Sequence, residues 1–229
     1  MQNSSRLALY YWVAFAVVCI TVPVLAQDNK RRADADRGAV IVAHGTGGAP
    51  ACAACHALDG TSDTTGAFPR VDGQSASYLE QQMHDFASSD RMSAVMSPIA
   101  KALSADDNAD VAEYYANMSS QFQPLATADA AIVKKGQRLA QEGDDAKGIL
   151  GCSNCHGPDG EGMPPTMPYL AGQYAQYIAL TLEMWKRGFR KNSSDLMAPI
   201  AKQLDDQEIA ALAAYYQQVP RPAGAAASR

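Results

Sequence analysis

Four of the five cysteines fall into two identical constellations, Cys52-Ala53-Ala54-Cys55-His56 and Cys152-Ser153-Asn154-Cys155-His156. Two thiols with two residues between them sit on one turn of chain. That spacing lets both add across the two vinyl groups of one porphyrin, and a histidine directly after the second thiol can then reach the iron. Other chemistries also use paired thiols. A zinc site needs a third and a fourth ligand at similar spacing, and redox dithiols rarely carry the adjacent histidine. A disulfide framework is the usual reading of an even cysteine set in an exported chain, but it leaves the histidines without a role. The motifs predict two covalently bound c-type haems. Cys52, Cys55, Cys152 and Cys155 are the expected thioether sites, and His56 and His156 the proximal iron ligands. The fifth cysteine, Cys19, lies in an N-terminal apolar stretch.

The sixth ligand separates catalysis from electron transfer. An open or water-bound iron suits catalysis or gas binding, whereas a Met sulfur or a second His suits electron transfer, and Met raises the potential. There are nine methionines, and most methionines simply fill cores. Met96 and Met197 differ from the rest because they lie 40 and 41 residues after His56 and His156, each with a proline two residues on. Proline favours a non-helical chain, so an extended loop over a haem face is expected at both. Met92 competes with Met96; Met163 and Met167 compete with Met197 but have no counterparts in the first half. Met184 reads as mid-helix core. His44 and His84 face Glu142 and Glu183 at the equivalent positions and read as surface or partly buried side chains.

These residues recur because the chain is a tandem repeat with an offset of about 100 residues. Gly38–Gly45 matches Gly136–Gly143, and Pro69-Arg70-Val71-Asp72-Gly73-Gln74 matches Pro168-Tyr169-Leu170-Ala171-Gly172-Gln173. Tyr78 matches Tyr177, Phe86 matches Trp185, and Met96-Ser97-Pro98-Ile99-Ala100-Lys101 matches Met197-Ala198-Pro199-Ile200-Ala201-Lys202. Tyr114-Tyr115 matches Tyr215-Tyr216. Each copy predicts an opening helix (about 34–44 and 128–141), the cysteine turn, a Gly/Pro-rich loop, a helix from Gln74 or Gln173 to Phe86 or Trp185, and a last helix (about 105–118 and 206–219). Asp205 with Glu208, and Ser104 with Asp107, have capping-box spacing. Asn108 stands where the second copy has Ile209, so the first copy's apolar stripe is thinner. No strand of useful length is expected, and the fold class is all-α.

The 229 residues suffice for two domains, and a net charge of −5 gives no reason to expect nucleic-acid binding. Residues 1–26 read as a secretory signal: Arg6, an apolar run from Leu7 to Ile20, and Val24-Leu25-Ala26 before the cut. An uncleaved membrane anchor is the alternative. The expected order is signal 1–26, domain 27–118, linker 119–127 around Pro124, domain 128–220, and an Ala/Gly/Pro-rich tail 221–229. A linker of about nine residues spans at most roughly 30 Å, so the domains should lie side by side. The basic cluster Trp185, Lys186, Arg187, Arg190 and Lys191 reads as a solvated helix end suited to the dipole. The alternative is a set of donors to haem propionates or to an acidic partner.

The paired motifs, the Pro168–Gln173 stretch, the Met-x-Pro-Ile-Ala segments and the Ala-rich last helix ending Tyr-Tyr together resemble the dihaem cytochrome c4 family, over essentially all of the chain after the signal. The resemblance implies two class I cytochrome c domains about a pseudo-twofold axis, with the haems close together. It also implies that Gly38 and Gly136 let terminal helices cross against Tyr114 and Tyr215. Pro69 and Pro168 would present the carbonyls that receive the histidines' other N–H. Ala57 for Gly157, and Asp72 for Ala171, are departures in the first copy. The function implied is a periplasmic electron carrier, soluble or attached to the inner membrane, between respiratory donors such as a cytochrome bc1 complex and a terminal oxidase or reductase. The alternative is the dihaem electron-accepting subunit of a dehydrogenase, for example a sulfide-oxidising flavocytochrome. No flavin, quinone or substrate site is visible, so the chain by itself is not expected to be an enzyme.

Overall fold

The computed structural model describes residues 31–62, 65–119 and 128–220. The expected signal with Cys19, nearly all of the expected linker, and the expected tail lie outside these residues. The first copy contains α1 (Ala35–His44), α2 (Ala53–His56), α3 (Ala76–Ser88), α4 (Met96–Ala102) and α5 (Ala105–Ala116). The second repeats the series as α6 (Ala130–Glu142), α7 (Ser153–His156), α8 (Ala175–Lys186), α9 (Met197–Gln203) and α10 (Asp206–Gln218). Strand is confined, among the described residues, to a small hairpin of β1 (Gly143–Asp144) and β2 (Ile149–Leu150), paired Gly143 to Leu150.

Helix starts follow the capping chemistry. Asp34 accepts from the backbone of Asp36 and Arg37 to open α1, and Asp129 accepts from Ala131 to open α6. Full capping boxes, Ser104 with Asp107 and Asp205 with Glu208, open α5 and α10 and satisfy donors that the first turn leaves free. One expectation fails. Met96 and Met197 do not lie on extended loops; each is the first residue of a two-turn helix. Pro98 and Pro199 sit in the first turn, where a missing N–H removes no helical hydrogen bond.

In each copy the first and last helices cross at a glycine. A Cβ on Gly38 would lie 2.1 Å from the Asp110 carbonyl oxygen and 2.9 Å from the Tyr114 Cβ. On Gly136 the corresponding distances are 2.0 Å to the Ala211 oxygen and 2.9 Å to the Tyr215 Cβ. The copies differ in their cores. The second buries Leu139, Ile149, Ile178, Leu182, Trp185, Ile209, Leu212 and Tyr216 around one centre, whereas the first gathers Ile41, Val42, Val111 and Tyr115. Asn108, in place of Ile209, donates to the Glu80 carbonyl, while its own Oδ1 is buried with no partner.

The copies dock through reciprocal bonds. Gln173 accepts from the Arg70 backbone N–H at 3.0 Å and donates to the Arg70 carbonyl at 2.9 Å. Gln74 does the same to Tyr169, at 3.3 and 3.4 Å. Arg70 and Tyr169 are equivalent in the repeat, as are the glutamines, so the exchange is what a pseudo-twofold axis requires. Tyr169 adds a bond from its hydroxyl to the Asp72 carbonyl at 2.8 Å, and the Tyr174 hydroxyl donates to the Thr61 carbonyl.

Candidate haem centres

Each Cys-x-x-Cys-His motif forms a single helical turn. The His56 N–H reaches the Cys52 carbonyl at 2.9 Å, and His156 reaches Cys152 at the same distance. The four cysteines of the motifs form no disulfide with one another, and no group of three His, Cys, Asp or Glu side chains able to hold a metal ion occurs among the described residues. That donor set does not suit zinc. Burial pushes the Cys52 and Cys152 thiols above their ordinary pKa.

The histidines are oriented from the side away from the turn. His56 Nδ1 lies 3.1 Å from the Pro69 carbonyl oxygen, and His156 Nδ1 lies 2.9 Å from that of Pro168. A carbonyl can only accept, so Nδ1 carries the proton and Nε2 is left as the free ligand nitrogen. Burial lowers both histidine pKa values, against the opposing pull of the proline carbonyls, and keeps the rings neutral as an iron ligand must be. Met96 and Met197 are half-buried at the heads of α4 and α9, while Met92 and Met163 are exposed. Leu58, Val95, Leu150 and Leu196, which flank the histidines, thiols and methionines in sequence, are all more than half exposed. Large exposed apolar side chains next in sequence to a cysteine pair and a neutral imidazole fit a flat, apolar, covalently held group. His44 and His84 are exposed.

The residue after each histidine must turn with positive φ. Gly157 does so at φ 76°, ψ 164°, and Ala57 at φ 56°, ψ 168°, a region that costs an L-residue strain. The paired tyrosines close the loops. Tyr115 donates to the Ala57 carbonyl at 3.1 Å and Tyr114 to that of Leu58 at 2.9 Å. Tyr215 donates to Asp159 at 2.9 Å, and burial pushes its pKa up to about 12.

Sequence reasoning missed one feature and misread another. Arg91 and Arg190 form an antiparallel bridge across the two copies, and both are buried. Their guanidinium groups lie over Phe86 and Trp185. Both donate to the same amide oxygen, Gln82 Oε1, at 2.9 and 2.8 Å, and Arg91 also donates to the Tyr177 hydroxyl. Burial, then the neighbouring Arg91 charge, lowers the Arg190 pKa. Arg190 is therefore not part of a solvated helix end, although Arg187 remains exposed beside Glu183. The available signal was positional: an arginine stands shortly before each Met-x-Pro segment.

The cytochrome c family model matches residues 133–220. The chain is 37% identical to cytochrome c4 of Pseudomonas aeruginosa over 190 residues, which is 79% of this chain and 92% of that one. It is 40% identical to the thiosulfate dehydrogenase electron acceptor of Stutzerimonas stutzeri, over 75% of this chain and 80% of the relative. Among solved structures, reduced recombinant cytochrome c4 from Pseudomonas stutzeri superposes with a TM-score of 0.72 at 31% identity, covering 82% of this chain and 99% of that one. The thiosulfate dehydrogenase of Marichromatium purpuratum gives 0.75 at 34% identity, with 82% of this chain spanning 41% of its length. With two motifs, two class I folds and relatives of matching length, the chain belongs to the dihaem cytochrome c4 family, electron-transfer proteins that carry two covalently bound haems c.

Proposed function

We propose that His56 with Met96, and His156 with Met197, ligate the two irons, that Cys52, Cys55, Cys152 and Cys155 form the thioethers, and that the protein carries single electrons in the periplasm. The observation that carries this reading is the duplicated turn, in which a histidine, partly buried at His56 and buried at His156, has Nδ1 tied to a proline carbonyl and a half-buried methionine heads the later helix. When bound, each haem supplies a one-electron iron couple. The chain's own residues hold the imidazoles neutral and oriented, supply a soft sulfur that favours Fe(II), and close the loops behind the histidines. Arg91 and Arg190 are suited to receive haem propionates, since two buried guanidinium groups sharing one amide oxygen leave cationic donors for a carboxylate. A respiratory donor such as a cytochrome bc1 complex and a terminal oxidase are the expected partners. The domain limits are proposed as 27–118 and 128–220, after a signal at 1–26. No helix among the described residues is long and apolar enough to cross a membrane.

The reading as the dihaem acceptor of a dehydrogenase has a specific point in its favour, the two relatives named for thiosulfate dehydrogenase. A flavocytochrome would be the sulfide-oxidising version of that role. A peroxidase-like enzyme would need one iron without a strong sixth ligand, against the pair Met96 and Met197.

Two measurements test the proposal. The oxidised protein should show the near-infrared band of Met–Fe(III) at two-site intensity, with Met96→Ala and Met197→Ala each removing about half. An unchanged band in Met96→Ala would pass that role to Met92 or another ligand. Pull-down from membranes with haems intact should recover an oxidase or bc1 complex; recovery of a dehydrogenase catalytic subunit instead favours the second reading.

A further inference from the structure

The glutamine exchange does more than hold the copies together. The Pro69 carbonyl that accepts from His56 Nδ1 and the Arg70 N–H that donates to Gln173 Oε1 belong to one peptide group. The continuous path is therefore His56 Nδ1–H, Pro69 C=O, Arg70 N–H, Gln173 Oε1. The second copy repeats it as His156, Pro168, Tyr169 and Gln74. Gln74 and Gln173 are both buried, so these bonds lie in surroundings of low dielectric.

We propose that each glutamine is a positioning residue for the opposite copy's haem: Gln173 sets the electron-donating power of His56, and Gln74 that of His156. An amide whose N–H is donated carries more negative charge on its carbonyl oxygen, because hydrogen bonds in series polarise one another. A better acceptor at Pro69 O draws the Nδ1 proton further and makes the ring more imidazolate-like. A more basic ring stabilises Fe(III) and lowers the potential. The influence crosses the interface, so a side chain of the second copy governs the first copy's haem. The two paths differ link by link: Gln173 holds Arg70 at 3.0 and 2.9 Å and Gln74 holds Tyr169 at 3.3 and 3.4 Å, whereas the histidine link is 3.1 Å for His56 and 2.9 Å for His156.

The inference rests on His56 and His156 being the iron ligands as proposed above. Ring-current-shifted His56 and His156 signals in the reduced wild-type protein establish that ligation independently of any glutamine change. The test is the Nδ1–H proton resonance of each histidine in the reduced holoprotein, together with the potential of each haem. Gln173→Met keeps the volume and loses the acceptor. It should move the His56 Nδ1–H signal upfield and raise the first copy's potential, leaving His156 within the wild-type spread. Gln74→Met should do the converse. Gln173→Glu keeps an acceptor oxygen in the same shape, so its His56 signal should stay at or downfield of wild type; it also serves if the methionine variant does not fold. Small-angle scattering checks that the copies remain docked. If docked variants leave His56 unmoved, or move both histidines alike, the glutamines are interface bonds only and the proposal is wrong.

Discussion

At the scale of single residues, the two haem loops are near copies that differ in strain. Gly157 accepts its positive φ without cost, while Ala57 holds a Cβ in a region that only glycine visits freely. Ala57→Gly should therefore stabilise the holoprotein by roughly 1 kcal/mol, the relief of strain outweighing the extra freedom of the unfolded chain. Denaturant unfolding followed at the haem band would measure it, and a loss of stability would mean that Ala57 makes a compensating contact. Asn108 is a second liability of the first copy. Its buried Oδ1 lacks a partner, and an unmatched buried acceptor costs about 1–3 kcal/mol. Asn108→Ile, which copies Ile209, should raise the midpoint of unfolding. If Asn108's bond to the Glu80 carbonyl matters more, the midpoint falls instead.

At the scale of elements, the close helix crossings are the least tolerant points. Gly136→Ala would put a methyl 2.0 Å from the Ala211 oxygen, and the obstacle is backbone rather than the end of a flexible side chain. Displacing α6 from α10 should cost about 3 kcal/mol or more, in the range of other overpacked cores. The expected readout is a sharp fall in recovered holoprotein. Gly38→Ala should behave likewise. Much of this level was legible in the sequence: the capping boxes and the cysteine turns follow from local spacing, and the glycine crossings from the resemblance to the cytochrome c4 family. The Met-bearing helices α4 and α9 were not. Proline two residues after methionine argued for an extended chain, yet the same proline is harmless in a helix's first turn. Local pattern also hid the environment of Arg190, because its partner Gln82 lies 108 residues away. A charge run looks solvated until the opposite copy covers it. The thinner stripe of the first copy, by contrast, did forecast its smaller core.

Taken as a whole molecule, the docked copies should act as one electrical object. Reducing one iron changes its charge by one unit, and the field between partly buried sites is weakly screened, so the neighbouring site should respond. Two resolvable one-electron waves at positive potential are expected. A single wave of independent sites, unchanged by Met197→Ala, would mean that the copies behave as separate beads. Removing both clamps, as in Gln74→Ala with Gln173→Ala, strips four interface hydrogen bonds. Scattering should then show a more extended particle, or the two waves should draw together. Neither clamp could be read from sequence. Gln74 and Gln173 stand out as repeated residues, but nothing local says that each pairs with the other copy's backbone.

The shared peptide groups at Pro69–Arg70 and Pro168–Tyr169 also bear on how the protein is made. One face of each group meets the histidine of its own motif, and the other face meets the glutamine of the opposite copy. Haem attachment at one motif should therefore also steady the surface against which the other copy docks. Chains bearing a single haem would dock poorly and offer their loops to proteases, so the cell should accumulate molecules with two haems or none. A chain carrying Cys152→Ser and Cys155→Ser should accordingly lose more than half of its haem, with the intact first motif underfilled as well.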